Sequence, residues 1–185
     1  DERFRVVFLL LAATGMRIGA IAELRVGHLS KFSNPLGTNS YLIRVYHQSA
    51  KEHRYYCFAT PELTEAIDKY LDYRKRFHEK INPNSPLIRE QFDIEDHFAA
   101  QYSAKPLVRK TYDKMIARFM KKAGVSFPTI IEAGTKRTLK RRPVAQTMGF
   151  RKRAMTKMIQ AKIDYDCREY LIGHKRSRGL NVHYD

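Results

Sequence analysis

The clearest pattern in the chain lies at its start. From Phe4 to Ala13 nearly every residue is apolar, a run that fits one buried helix and falls short of a bilayer span. Thr14-Gly15 breaks it, because glycine readily takes the left-handed backbone that ends a helix. A shorter helix is expected from about Met16 to Leu24, and Val26 to Leu29 reads as a short strand. Ser33-Asn34-Pro35-Leu36-Gly37 is a loop by its turn residues. Tyr41 to Tyr46 and Arg54 to Phe58 are rich in β-branched and aromatic residues and predict two strands. The polar stretch His47 to His53 would be the hairpin tip between them. Thr60-Pro61-Glu62 opens the next helix with a cap, a proline at the first position and an acid in the first turn. That helix runs to about Lys80, and Asn82-Pro83-Asn84-Ser85-Pro86 ends the stretch.

The second half is patterned more loosely. Residues 87–103 carry no decisive period. Ser103 is an expected cap for a helix to about Ala123, with Met115, Ile116, Phe119 and Met120 at helical spacing and Gly124 as its stop. Phe127 to Pro143 reads as a loop. Thr147 would cap a helix through Ile163, and Asp164 another that ends at Gly173. His174 to Asp185 is a polar loop, with room for one starting helical turn. The sum predicts a mainly α fold with a small antiparallel sheet, an α+β class, in one domain over residues 1–185. Because the chain opens on Asp1 and almost at once on an apolar run, it reads as a piece of a longer protein.

Composition changes this picture mainly through charge. At 43% apolar the chain is globular and not disordered. Lys and Arg number 35 against 19 acids, a net of +16. Residues 1–100 hold 14 basic and 13 acidic side chains, whereas residues 101–185 hold 21 and 6. Such asymmetry calls for a polyanionic partner on surfaces built by the second half. Nucleic acid is the first candidate and an anionic membrane surface the second. No signal peptide or bilayer-spanning run is present. The two cysteines, Cys57 and Cys167, form no disulfide framework and no metal motif. They read as inert buried thiols in a reducing, cytosolic setting. Tyr55, Tyr56, Tyr70 and Tyr73 read as packing residues of strand and helix.

Several short motifs stand in a telling order. Thr14-Gly15-Met16-Arg17-Ile18 falls between two predicted helices, with Leu24-Arg25 downstream. Lys51 stands at the hairpin tip before Glu52-His53-Arg54. Gly149-Phe150-Arg151-Lys152 and Leu171-Ile172-Gly173-His174 follow, and Tyr184 comes after them. Together they resemble the tyrosine recombinases, the phage-type integrases. The resemblance covers nearly the whole chain and implies the catalytic domain fold of DNA breaking and rejoining enzymes. It implies Tyr184 as nucleophile, with Arg17, Lys51, Arg151 and His174 as its catalytic partners.

The chemistry explains these residue types. A phosphodiester transfer builds negative charge on two non-bridging oxygens, and arginine offers a permanently charged planar fork to grip them. Two such forks that tighten in the transition state lower the barrier. A phenol of pKa about 10 is a poor nucleophile at neutral pH and needs a base, or cations that favour phenolate. His174 can be that base or a donor to the phosphate. Lys51 can protonate the leaving 5′ oxygen. The implied 3′-phosphotyrosine conserves the bond energy, so no ATP, metal or other cofactor is required.

The chain departs from the family pattern at three points. Met148 stands where the family usually has histidine, and Lys152 or His183 would have to fill its role. Ala20 stands where an acid is common, which leaves Glu23 to orient Arg17. Tyr184 is one residue further from His174 than usual. The alternatives are a DNA-binding module with a degenerate site, a type IB topoisomerase-like strand passage and a basic RNA-binding domain. Lys136, Arg137, Lys140, Arg141, Arg142, Arg153, Lys175, Arg176 and Arg178 are the expected DNA contacts. The implied partner is double-stranded DNA in a cytoplasmic, nucleoid-associated setting. Full-length protein is expected as a tetramer on DNA, and this chain alone as a monomer.

Overall fold

Helix α1 (Glu2–Thr14) is the spine of the molecule. The Asp1 carboxylate caps it by accepting from the Arg3 backbone N–H at 3.0 Å. Its apolar run buries Val6, Val7, Leu10 and Leu11 completely. Helix α3 (Pro61–Arg76) and helix α6 (Met148–Gln160) both pack on it. The coordinates form a computed structural model that describes residues 1–33, 35, 37–49, 53–91, 95–102, 104–125 and 147–174.

The remaining elements are helix α2 (Ile18–Glu23), helix α4 (His97–Tyr102), helix α5 (Arg109–Lys122) and helix α7 (Tyr165–Ile172). Strands β1 (Leu29–Ser33), β2 (Asn39–Val45) and β3 (Tyr55–Phe58) form one antiparallel sheet in the order β1-β2-β3. The register places Leu29 opposite Ile43 and Val45 opposite Tyr55. Period-2 alternation turns Tyr41, Ile43, Val45, Tyr55 and Cys57 into the core. Helix α3 buries Leu63, Ala66, Ile67, Tyr70, Leu71 and Arg74, the spacing of one helical face. Thr60 caps it as expected, accepting from the Leu63 N–H. Helix α7 packs on β3 and α6, and α2 packs on α5.

The mainly α fold with one small antiparallel sheet is therefore the observed class. Several local expectations are corrected. Val26–His28 is a 3-10 turn and not a strand, held by the Arg25 N–H donating to His28 Nδ1 at 3.2 Å. The strand begins only at Leu29, so the sheet has three strands where the pattern showed two beside a stray one. Helix α3 stops at Arg76, short of Lys80, because His78 turns left-handed at φ 60°. The helix expected from Ser103 begins at Arg109 instead, since Pro106 pairs with Arg89 in a β-bridge and Leu107 N–H donates to Ile88. Part of the ambiguous stretch forms α4. Helix α6 ends at Gln160 and not Ile163, with Lys162 at φ 55° just beyond. Tyr56 lies on the outer face of β3 and is exposed, and Cys167 is exposed too. Cys57 is buried, and burial pushes its thiol up to about 12 against a hydrogen bond with Thr14. The loop expected over 127–143 and the tail after His174 lie outside the described residues.

A buried ion network anchors the far end of α3. Arg74 Nε donates to Glu79 at 2.9 Å, and Arg89 Nη1 donates to the same carboxylate at 2.8 Å. Arg74 Nη1 also donates to the carbonyls of Pro86 and Leu87, each at 3.0 Å. Burial pushes the Glu79 carboxyl upward, but the hydrogen bonds from Arg74 and Arg89 outweigh it and hold it below the ordinary range.

Candidate active site

Two helix ends build the site. Helix α1 ends with Gly15 at φ 63°, its N–H donating to Leu11. Thr14 is buried, donates to the Leu10 carbonyl and accepts from the Met16 N–H. This turn delivers Arg17 to the start of α2, where its side chain caps nothing. Its guanidinium is exposed and donates through Nη1 to the Gly173 carbonyl at 3.1 Å. Gly15 must also be small. A Cβ there would lie 2.8 Å from the Ala154 Cβ, so glycine lets α6 approach the turn.

The second end is that of α7. Asp164 caps its start, accepting from Asp166 and Cys167. Gly173 closes it at φ 72°, and its N–H donates to Tyr170 while that of His174 donates to Glu169. This paired closure folds His174 back over the last turn. His174 Nδ1 meets Glu169 Oε2 at 2.5 Å, which commits Nδ1 to that carboxylate and leaves Nε2 for another partner. A Cβ on Gly173 would lie 2.5 Å from the ring of Tyr55, so the turn rests directly on β3.

Arg151 joins the two ends. It stands on the first turns of α6, half-buried, and donates through Nη1 to the Gly15 carbonyl at 3.1 Å. Its Nη2 is buried without a partner. Burial lowers its pKa and so does the nearby Arg17 charge, against partial relief from Tyr55 and Glu169. No carboxylate bonds to either arginine among the described residues. An open cleft of about 410 Å³ is lined by Arg151, Lys152, Met148, Ile172 and His174 among others. Ile172 and His174 flank the carbonyl that Arg17 holds.

Tyr46 and Tyr55 stand at the root of the hairpin, edge to face with centroids 6.2 Å apart. Burial raises both phenol pKa values. Tyr46 feels Glu23, Arg17 and Arg151, and the buried Tyr55 hydroxyl has no partner.

The structure thus brings Arg17, Arg151, His174 and Lys152 to one place. Glu23 is exposed and makes no hydrogen bond or ion pair with Arg17. Arg153 is exposed and donates back to the Ala12 carbonyl at 3.3 Å. Met148, at the position where histidine was expected, is 47% exposed and faces no polar partner's work, since a thioether carries no proton. Tyr184, Lys51, His183, Lys136, Arg137, Lys140, Arg141, Arg142, Lys175, Arg176 and Arg178 lie outside the described residues. Glu169 was missed from sequence. Its signal is the helix end itself, since closure at Gly173 returns His174 to the residue five before it.

Two guanidinium groups within electrostatic reach of each other, with no carboxylate bound to them among the described residues, suit a tetrahedral anion. A family model described as the Phage integrase family matches residues 1–185. The chain belongs to the phage integrase family. Solved structures agree in fold. XerA recombinase matches with a TM-score of 0.61 at 18% identity, over 94% of this chain and 48% of that one. XerH site-specific recombinase, bound to its difH substrate before cleavage, gives 0.62 at 16% identity over 94% and 40%. The Tn1549 transposon integrase with circular intermediate DNA gives 0.51 at 16% identity over 93% and 50%. The chain spans about half or less of the length of these solved relatives. Among curated proteins no relative matches it. This phage integrase family chain therefore has the tyrosine recombinase catalytic domain fold, and its two helix-end turns are the parts that assemble the arginine pair.

Proposed function

We propose that the chain cleaves and rejoins DNA strands through a 3′-phosphotyrosine on Tyr184. The observation that carries this reading is the arginine pair. Arg17 and Arg151 are held by the backbone carbonyls of Gly173 and Gly15, and among the described residues no carboxylate occupies their forks. In this reading the scissile phosphate is the missing anion, and Arg151 Nη2 gains in it the acceptor it lacks. His174, with Nδ1 committed to Glu169, presents Nε2 to take the Tyr184 proton or to donate to the phosphate. Lys51 protonates the leaving 5′ oxygen, and Lys152 or His183 takes over the role that Met148 cannot serve. The bond energy is kept in the phosphotyrosine, so religation proceeds without ATP or metal. The basic residues of 136–142 and 175–178, with Arg153, hold the flanking duplex. The whole protein acts as a tetramer on two duplexes in a nucleoid-associated setting, and this chain alone is a monomeric catalytic domain. No described helix is long and apolar enough to cross a membrane.

A nicked suicide duplex tests the reading. The chain should form a covalent adduct that survives denaturing electrophoresis, in the presence of a chelator and without ATP. Tyr184→Phe should abolish the adduct and leave DNA binding intact. An adduct formed by Tyr184→Phe would mean that the nucleophile is another residue. A second reading is favoured by Met148, an apolar side chain lining the cleft. It is a DNA-binding module with a degenerate site, and it predicts salt-sensitive binding with no adduct on any duplex.

A further inference from the structure

Four basic side chains meet at the mouth of the sheet, and the site above uses none of them. Arg25 precedes the 3-10 turn, His28 closes it, Arg44 stands on β2, and His47 follows β2 toward the hairpin tip. His28 is 6% exposed, and its ring lies edge-on to that of His47 with centroids 5.4 Å apart. Its Nδ1 accepts from the Arg25 backbone N–H at 3.2 Å, which leaves Nε2 to carry the proton of the neutral ring. Arg25 donates to the Asn84 carbonyl and Arg44 to the Gly27 carbonyl, so backbone oxygens pin both guanidinium groups. Arg44 Nε is buried with no partner. Among the described residues no carboxylate pairs with any of the four.

Burial disfavours a charged His28, and His47, Arg44 and Arg25 push the same way, so its pKa falls below the ordinary value. These are the charged and titratable groups that act on it, from the turn and from β2, and each is basic. Like charges gathered without a counter-ion leave a net attraction for an anion, and pinned guanidinium groups pay little ordering entropy on binding one. Tyr46, the residue before His47, is within electrostatic reach of both Arg17 and Arg151.

We propose that Arg25, His28, Arg44 and His47 form a second phosphate site, which holds a backbone phosphodiester of duplex DNA other than the scissile one. This rests on the DNA-cleaving reading. The bound anion offsets the mutual repulsion of the two guanidinium groups.

Ring signals of His28 and His47 in the 185-residue chain can be followed by NMR, first free, then with inorganic phosphate, then with a short duplex. Saturating duplex should shift the ring signals of both. Log affinity for the duplex should fall with log salt less steeply in Arg44→Gln than in the parent, by about one unit of slope. His47 is exposed, so His47→Gln keeps the fold and should weaken duplex binding as well. A His28 signal unmoved by saturating duplex, or duplex affinity and salt slope alike in parent and both variants, overturns the site while leaving the cleavage reading standing. A response to inorganic phosphate but not to duplex makes it a free-anion site and overturns the assignment to DNA. A chain that binds no duplex at all sinks the cleavage reading, and this one with it.

Discussion

Two arginine pairs lie in this molecule, and they are finished differently. Arg74 and Arg89 are buried around Glu79, and every nitrogen of the Arg74 guanidinium has an oxygen partner. Among the described residues Arg17 and Arg151 hold one backbone carbonyl each, and Arg151 Nη2 has no partner. The first pair carries its anion in the sequence. The second has the same chemistry with the anion left out. A pair of cations that the fold has neutralised reports on stability, and a pair that it has left open reports on a ligand.

The largest expected effect breaks the closed pair. Glu79→Gln leaves two buried guanidinium groups facing a neutral amide, and removal of one partner from a buried pair costs about 3–5 kcal/mol. At roughly 2–4 °C per kcal/mol for a chain of this size, the melting temperature should fall by about 6–20 °C. Below that temperature DNA binding should persist. A melting temperature within about 2 °C of the parent would show that the network is not a stability device.

The open pair should answer in the opposite currency of measurement. Arg151→Gln and Arg17→Gln should each slow adduct formation on a suicide duplex by about 10²–10³-fold, the usual effect of losing one preorganised donor to a developing oxyanion. Each loses one hydrogen bond of modest net worth, so the melting temperature should stay within about 4 °C of the parent. If Arg151→Gln unfolds the protein as readily as Glu79→Gln does, the two pairs are not different in kind.

A smaller effect probes how the open pair is held. Gly173→Ala forces an L side chain into left-handed backbone, at about 1–2 kcal/mol, and drives a Cβ into the Tyr55 ring. The turn carries both the carbonyl that holds Arg17 and the His174 that follows it. Cleavage should therefore fall by more than the stability loss predicts, measured as single-turnover rate at saturating duplex. An unchanged rate would separate the turn from the chemistry.

The same contrast explains what could be read in the sequence. Thr14-Gly15-Met16-Arg17 was legible because a helix end, a left-handed glycine and the next helix start are all local. The capped ends of α3 and α7 were legible for the same reason. Strand β1 was not, since Leu-Ser-Lys-Phe-Ser is an edge strand with one strand partner and little buried surface. The true start of α5 was hidden too, because it depends on Pro106 pairing with Arg89 across the fold. Arg74 sits in the apolar stripe of α3, four residues after Tyr70, where a charged residue has no local reason to be. Its reason is Glu79 and Arg89, which only the tertiary fold supplies. The open site lay in motifs and the closed network in contacts, so motif reading found the first and passed over the second.

The smallest effect sharpens the comparison through pH. Glu79 has a folded pKa below its ordinary value of 4.5, so its contribution is fully present above that value. It is lost as pH falls from there through the folded pKa, because the unfolded chain then takes up the proton first. The stability gap between parent and Glu79→Gln should accordingly be flat from neutral pH down to about 4.5 and narrow in more acid solution. Urea unfolding of both proteins over that range measures the gap directly, and other carboxylates cancel in the difference. A gap that widens toward acid would reverse the sign and mean that the two arginines do not outweigh the cost of burying the carboxylate. Arg151→Gln should show no such acid-dependent gap, since among the described residues no carboxylate bonds to that arginine.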